Sequence, residues 1–173
     1  MRKTLIVGTL VASVAALAMP GRATAQQKST KDQLVGTWLL TGVTAERADG
    51  SKGEPFGADP KGIIIFTPDG HFSLLQHRAE LPKIAANDRA KATAEEARTI
   101  VEGSIGYYGT YTVDEAENTM MVKLVGGTYT NIVGGPEQKR IITALTADRL
   151  KFTNPRTPAG VTLLTEWKRA PPH

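Results

Sequence analysis

Short runs of apolar, β-branched and aromatic residues, separated by Gly, Pro, Asp and Asn, fill the chain from residue 34 to residue 168. Within most runs apolar and polar positions alternate with a period of two, the pattern of a strand that buries one face. The runs cover residues 34–44, 62–67, 71–78, 108–113, 120–133, 139–145, 150–153 and 161–168. Gly126-Gly127 predicts a bulge or bend inside the fifth run. Eight strands at this spacing predict an all-β sandwich or barrel.

Two local signals refine this pattern. Pro68-Asp69-Gly70 predicts a tight turn that makes a hairpin of the second and third strands. After the third strand the period changes to about 3.6, and Thr93 and Glu96 have the spacing of a capping box. The apolar positions that follow share one helical face and are Ala97, Ile100, Val101 and Ile105. The sequence therefore predicts one short amphipathic helix between the third and fourth strands.

The first 25 residues have the three-part layout of a Sec-type secretory signal peptide. Met1-Arg2-Lys3 is basic, residues 4–18 are uncharged and mostly apolar, and Ala23-Thr24-Ala25 forms a small-x-small cleavage site. A membrane anchor is the alternative, but the uncharged run is shorter than the roughly 20 residues that span a bilayer. We therefore expect cleavage after Ala25, a location in the periplasm or outside the cell, and no stable membrane anchor. Residues 26–33 are polar and are expected to be flexible.

Composition narrows the possible functions. The chain has 173 residues and no cysteine, so disulfides, thiolate metal sites and cysteine nucleophiles are excluded. Its formal charge is +4, and loss of residues 1–25 with their three basic side chains would leave about +1. Nucleic acid is therefore not expected as a partner, because phosphate binding requires clustered basic residues. The remaining length suits one barrel domain at residues 34–169, followed by a short tail at 170–173.

Several segments, in order along nearly the whole mature chain, resemble the bacterial and fungal lipocalin-like domain family. The matching segments are Leu34–Trp38, Pro60–Gly62, Phe66–Gly70, Ala86–Arg89, Tyr108–Asp114, Gln138–Arg140, Asp148–Leu150 and Leu164–Arg169. The resemblance implies an eight-stranded antiparallel up-and-down barrel with one short helix inserted after strand 3. One departure follows Asn131, where family members often carry an aromatic residue and this chain has Ile132.

Gly36 and Trp38 resemble the Gly-x-Trp signature of lipocalins, in which the indole closes the barrel floor and packs on an arginine. Arg169 and Arg140 are the candidates for that cation–π partner. Gly36 would let the backbone pass close beneath the barrel. The resemblance implies a structural role for Gly36, Trp38 and Arg169.

Bulky residues of the strands are the candidates for a cavity lining. They are Phe66, Phe72, Leu74, Tyr108, Tyr111, Met120, Leu124 and Tyr129, with Tyr107 as a further aromatic residue. The alternative is that these side chains simply fill a closed core. Arg140, like Arg78, would meet a carboxylate head group if its side chain points inward.

The leading functional prediction is an exported carrier that encloses a small, mostly apolar ligand, with the helix covering one mouth. An isomerase or cyclase that uses a Tyr or His as general acid is the second hypothesis, and a filled barrel serving as an accessory module is the third. No catalytic residue, metal ligand or cofactor is assigned. His71 and His77 are too far apart along one strand, about 20 Å, to share a metal ion. The sequence does not determine the oligomeric state.

Overall fold

Nine strands and two α-helices make up the regular structure of residues 28–172, the part of the chain that the structure, a computed structural model, describes. The strands are β1 (Gly36–Glu46), β2 (Lys52–Gly53), β3 (Lys61–Phe66), β4 (His71–His77), β5 (Ser104–Asp114), β6 (Thr119–Gly127), β7 (Gln138–Leu145), β8 (Arg149–Asn154) and β9 (Thr162–Arg169). The helices are α1 (Thr30–Leu34) and α2 (Ala94–Gly103), and 3₁₀ helices lie at Arg89–Lys91 and Thr130–Ile132.

The sheet closes on itself. From β3 to β9 each strand pairs antiparallel with the next along the chain, and β1 pairs with both β3 and β9. Strand β1 pairs with β3 over Gly36–Leu39 and with β9 over Trp38–Glu46, and the second pairing shifts register between Leu40 and Gly42. The two-residue β2 only flanks the end of β1. The result is an eight-stranded up-and-down barrel, which confirms the predicted fold class and excludes a sandwich.

Every second side chain of a barrel strand points inward, and these side chains fill the barrel interior. In β6, Met120, Val122 and Leu124 are buried, whereas Lys123 and Val125 face outward. This is the orientation that the charge at Lys123 predicts, because successive side chains of a strand point to opposite faces.

The predicted turn at Pro68-Asp69-Gly70 joins β3 to β4 and confirms the hairpin. Gly70 has a φ of +90°, a backbone conformation that favours glycine. The Thr67 hydroxyl donates to the Asp69 carboxylate and accepts from the His71 amide at 3.1 Å. Hydrogen bonds to the Asp69 carboxylate lower its pKa. The bond from the Thr67 hydroxyl has the larger effect, and the bond from the His71 side chain has the next largest.

The irregularity predicted at Gly126-Gly127 lies one residue earlier. The register of β5 and β6 shifts between Tyr108 and Gly109, so that Val125 has no direct partner. At Gly109 a Cβ atom would lie 1.9 Å from the Lys123 carbonyl oxygen, so the backbones meet where only glycine fits.

Two segments differ from the sequence predictions. The segment 26–33, predicted to be flexible, contains most of α1, which Ser29 caps by accepting from the Asp32 amide at 3.0 Å. Residues 128–133, predicted to be extended, contain the 3₁₀ helix Thr130–Ile132. Short polar segments of this kind are fixed by contacts with distant residues, which a local pattern does not report.

Helix α2 forms with its capping box, as predicted, but its apolar face is not buried. Thr93 accepts from the Glu96 amide at 3.2 Å, and the Glu96 carboxylate accepts from the Thr93 amide at 2.8 Å. Val101 is 75% exposed, and Gly103 is the only residue of the helix that is fully buried. The helix packs beside residues 78–85 at the outside of the barrel. The helical periodicity of the sequence therefore predicted that α2 forms, but it did not predict that the apolar face of α2 stays exposed.

The predicted signal peptide at residues 1–25 lies outside the described residues. None of the helices described between residues 28 and 172 is both long enough and apolar enough to cross a bilayer.

Candidate functional site

One end of the barrel is closed by Trp38 and Arg169. Trp38 is fully buried, and the Arg169 guanidinium carbon lies 3.9 Å from the centre of an indole ring that presents its face to it. Gly36 has a φ of +124°, and a Cβ atom there would lie 2.9 Å from Arg169 Nη1. Glycine is therefore needed both for the backbone conformation and for the approach of the guanidinium.

The same arginine holds α1 beneath the barrel. Arg169 Nη2 donates to the Gln33 carbonyl at 2.6 Å, Nη1 to the Val35 carbonyl at 3.0 Å, and Nε to the Ala147 carbonyl at 2.6 Å. Trp38 Nε1 donates to the Leu34 carbonyl at 2.8 Å. Carbonyls at the end of a helix have no intrahelical partners and attract a cation, so the bonds to Gln33, Leu34 and Val35 satisfy the end of α1. Burial lowers the pKa of Arg169, which nevertheless stays protonated.

The middle of the barrel is almost completely filled. A void of about 10 Å³ remains, which is about the space of a single water molecule. Phe66 is central to the packing, because its ring contacts Tyr111 edge to face with centroids 5.0 Å apart and lies 6.2 Å from Phe72. The void is lined by Ile64, Phe66, Phe72, Leu74, Tyr107, Met120, Val122, Arg140 and Phe152. The barrel centre therefore has no room for a ligand.

The other end of the barrel opens into a cavity of about 290 Å³, which we call the mouth cavity. This volume is at the lower end of the range of small-molecule sites, about 300–1,000 Å³. The lining is mostly apolar and consists of Ala45, Pro55, Phe56, Gln76, Ile105, Tyr107, Tyr129, Ile132, Gln138, Arg140, Asn154, Thr157, Pro158, Ala159, Val161 and Leu163. Strands supply the inner wall, whereas the 3₁₀ segment at 130–132 and the loop before β9 supply the rim.

A polar cluster lies at the inner end of the mouth cavity. Arg140 and Tyr107 line both the cavity and the small central void, so they mark the boundary between them. Arg140 Nη2 donates to Gln138 Oε1 at 2.9 Å, and Nη1 donates to the Lys139 carbonyl at 3.1 Å. Burial lowers the pKa of Arg140, and the neighbouring Tyr107 side chain opposes that shift. Gln76 is equally buried, and its Oε1 has no hydrogen-bond partner.

Comparison with known proteins supports the same architecture. A family model described as a lipocalin-like domain matches residues 35–166, which is most of the chain. The chain belongs to this lipocalin-like family. A comparison with curated proteins gave no match.

Two solved structures are similar at low identity. One is a de novo designed fluorescence-activating β-barrel, with 10% identity and a TM-score of 0.42, covering 83% of this chain and 99% of that one. The other is EF1p2_mFAP2b bound to DFHBI, with 17% identity and a TM-score of 0.40, covering 80% of this chain and 94% of that one.

In this lipocalin-like domain the predicted cavity residues do not all line the same space. Phe66, Phe72, Leu74 and Met120 line only the small central void, Tyr129 lines the mouth cavity, and Arg140 borders both. Tyr111 and Leu124 are buried but line neither space. The Tyr111 hydroxyl donates to the Thr67 carbonyl at 2.8 Å. Burial is the main cause that raises the pKa of Tyr111, and the negative charges of Asp69 and Asp32 raise it further.

The prediction that Tyr108 lines the cavity is wrong. Its side chain is 54% exposed on the outer face, and its ring covers Gly126 of the neighbouring strand. Tyr107 points inward instead, because adjacent residues of a strand face opposite sides of the sheet. Helix α2 contributes no residue to the mouth cavity, so the expectation that it covers a mouth is also not met.

Several residues of the mouth cavity were not predicted from the sequence. Gln76 could have been found, because it continues the alternation of Phe72 and Leu74 along β4, and Gln138 stands in the same relation to Arg140. Phe56 and Thr157 lie in loops whose positions depend on the whole barrel. Ile132, which follows Asn131 where relatives often have an aromatic residue, lines the cavity.

A larger but more exposed groove of about 650 Å³ lies outside the mouth cavity, between residues 131–139 and 154–158. Most of its lining is exposed to solvent, and the residues that it shares with the cavity are Ile132, Gln138, Asn154, Thr157 and Pro158. His71 and His77 line neither the groove nor the mouth cavity. His71 Nδ1 is 3.2 Å from Asp69 Oδ2 on the surface, and His77 Nδ1 is 2.6 Å from the Arg78 carbonyl oxygen.

Proposed function

We propose that this lipocalin-like protein is an exported carrier that binds a small, mostly apolar ligand in the mouth cavity. The observation that supports this most directly is an apolar cavity of about 290 Å³ at one end of a barrel whose other end and centre are filled. A ligand there would lose water contact along Ile105, Val161 and Leu163. Burial of apolar surface would supply most of the affinity, at roughly 25 cal/mol per Å².

The composition of the cavity supports binding more than proton transfer. Among the described residues that line it, the ionisable groups are Arg140, Tyr107 and Tyr129. A guanidinium stays protonated at all ordinary pH values, and an amide such as Gln76 neither gives nor takes protons. An isomerase or cyclase would therefore have to use a tyrosine hydroxyl as its acid.

The test compares two tryptophan substitutions at adjacent positions of β9. Leu163 lines the mouth cavity, and Leu164 is 38% exposed on the outer face. Titration with the uncharged dye N-phenyl-1-naphthylamine, followed by its fluorescence, should give saturable binding to the wild type. Leu163→Trp should weaken this binding at least about tenfold because the indole fills the cavity, whereas Leu164→Trp should leave it unchanged.

Two results would contradict the carrier proposal. If Leu163→Trp binds the dye as the wild type does, the ligand site is not the mouth cavity. If no saturable binding occurs in the wild type, the filled barrel is better explained as an accessory module. Urea unfolding of each variant shows that the comparison concerns folded protein.

Export is a separate part of the proposal. It rests on the basic, apolar and small-residue segments of residues 1–25. When the full chain is expressed in a bacterial host, the protein should appear in the periplasm or medium with Gln26 as its first residue. Mass spectrometry of the fractions measures this, and full-length protein in the cytoplasm alone would contradict it.

A further inference from the structure

Arg140 is a buried cation with no carboxylate partner. Arg140 is only 4% exposed, and none of the salt bridges found among residues 28–172 includes it. Buried charges are normally paired, because removing an ion from water without a counter-ion is costly. An unpaired guanidinium beside a cavity therefore indicates that its counter-ion comes from outside the chain.

The hydrogen bonds of Arg140 leave donors free. A guanidinium has five N–H groups, and two of them donate to Gln138 Oε1 and the Lys139 carbonyl. Even if the Tyr107 hydroxyl accepts a third, two N–H groups remain, as many as a bidentate carboxylate uses. Arg169 also keeps two N–H groups beyond its three hydrogen bonds, but it is only partly buried, and its guanidinium stacks on Trp38 while each of its nitrogens donates to a backbone carbonyl.

Gln76 adds a second unsatisfied group on the same cavity. It is 4% exposed, and its Oε1 lacks a partner. A buried amide that is incompletely hydrogen-bonded lowers stability. On the cavity wall the Nε2 amino group of Gln76 can donate to an anionic ligand atom, whereas Oε1 only accepts and would need a donor. Outward from this cluster the lining becomes apolar, with Ile105, Ile132 and Leu163.

We propose that the ligand of the mouth cavity is an amphiphilic monocarboxylate, whose carboxylate binds Arg140 beside Gln76 and whose apolar part lies against the outer walls. This inference rests on the proposed carrier function and adds the chemical class of the ligand. A planar carboxylate matches the fork of a guanidinium and supplies the missing negative charge. A dicarboxylate would place its second charge among apolar side chains, so a single acidic group fits better.

The first test compares two ligands of equal chain length, octanoate and octan-1-ol, by calorimetry at pH 7.5 on the purified protein. Octanoate is ionised at this pH and can accept two hydrogen bonds from Arg140. It should bind at least about tenfold more tightly than the alcohol. Equal affinities, or tighter binding of the alcohol, would overturn the inference.

The second test removes the charge. Arg140→Met keeps an unbranched apolar side chain and should weaken octanoate binding at least about tenfold, with octan-1-ol binding unchanged or improved. Arg149→Met, at an exposed arginine of β8, should change neither affinity. Arg140→Lys keeps the charge but not the fork, so part of the preference for octanoate should remain.

The outcomes separate the two proposals. If the uncharged dye binds and Leu163→Trp prevents it, but octanoate shows no preference for Arg140, the carrier function stands and the carboxylate inference fails. If neither dye, octanoate nor alcohol binds, both fail. Should Arg140→Met not fold, the wild-type comparison and Arg140→Lys still decide the inference.

Discussion

The two ends of the barrel each contain a buried or half-buried arginine, but the two arginines have different surroundings. At the closed end Arg169 lies on Trp38 and donates to the carbonyls of Gln33, Val35 and Ala147. At the open end Arg140 makes two hydrogen bonds and borders a cavity. The first arrangement is complete without a ligand and stabilises the fold. The second is incomplete, which is the expected property of a binding site that trades stability for function.

The largest expected effect on the free energy of unfolding comes from substituting two phenylalanines, one at the barrel centre and one at the mouth cavity. Phe66→Ala should lower the free energy of unfolding by about 3–5 kcal/mol, because Phe66 fills the tightly packed centre. Phe56→Ala should cost about 1–2 kcal/mol, because Phe56 lies in a loop at the mouth cavity that can adjust. Urea unfolding measures both, and equal losses would show that the two levels do not differ in packing.

The next comparison applies one substitution to both arginines. Arg169→Met should destabilise by about 2–4 kcal/mol, since three backbone carbonyls lose a charged donor and Trp38 loses its cation. Arg140→Met should be neutral or stabilise the apo protein by up to about 1 kcal/mol, because it removes an uncompensated buried charge. A large loss of stability in Arg140→Met would mean that Arg140, too, is a structural residue.

A smaller effect is expected at Gly36, with Gly50 as the matched control. Both have positive φ angles, +124° and +81°, but only at Gly36 would a Cβ atom contact a side chain, Arg169. Gly50→Ala should cost about 1 kcal/mol from backbone strain, and Gly36→Ala about 1–3 kcal/mol. The additional loss of unfolding free energy in Gly36→Ala, relative to Gly50→Ala, measures the cost of displacing the Arg169 guanidinium. If the two losses are equal, Arg169 moves aside without cost.

The smallest effect concerns pH and the start of α1. The Glu115 carboxylate accepts from the amides of Thr30 at 2.9 Å and Lys31 at 3.2 Å. Hydrogen bonding to the Thr30 side chain first, and then to the amides of Thr30 and Lys31, lowers the pKa of Glu115. Its stabilising contribution is therefore complete above the ordinary glutamate pKa of 4.5 and is lost as pH falls through the lowered value. Hydrogen exchange of the Thr30 amide should accelerate in that range, relative to its intrinsic rate, and Glu115→Gln should remove this dependence on pH. The exposed Glu117→Gln should not.

The eight strands of the barrel, their order along the chain, the hairpin turn and the capping box could all be predicted from the sequence. Each depends on residues that are near one another in the chain, such as Thr93 and Glu96 or the alternation around Lys123. The candidate site could be predicted only in part. The inward direction of Arg140 follows from strand alternation, but the difference between Tyr107 and Tyr108 depends on the strand register.

The presence of a cavity at the mouth and the filling of the centre could not be predicted from the sequence. Phe66, Phe72 and Met120 are candidates for a cavity lining by composition, yet they meet one another across the barrel and leave about 10 Å³. Whether facing side chains interlock or leave a space depends on the barrel diameter and the tilt of its strands.

The sequence by itself determined the alternating strands, the glycine and tryptophan of the closed end, and the absence of cysteine. Only the tertiary structure decided that Arg169 rather than Arg140 packs on Trp38, and that Arg140 faces a cavity without a counter-ion. The physical reason is range. Hydrogen bonding and alternation act between neighbours in the chain, whereas burial of a charge and the volume of a cavity depend on strands that meet only when the sheet closes.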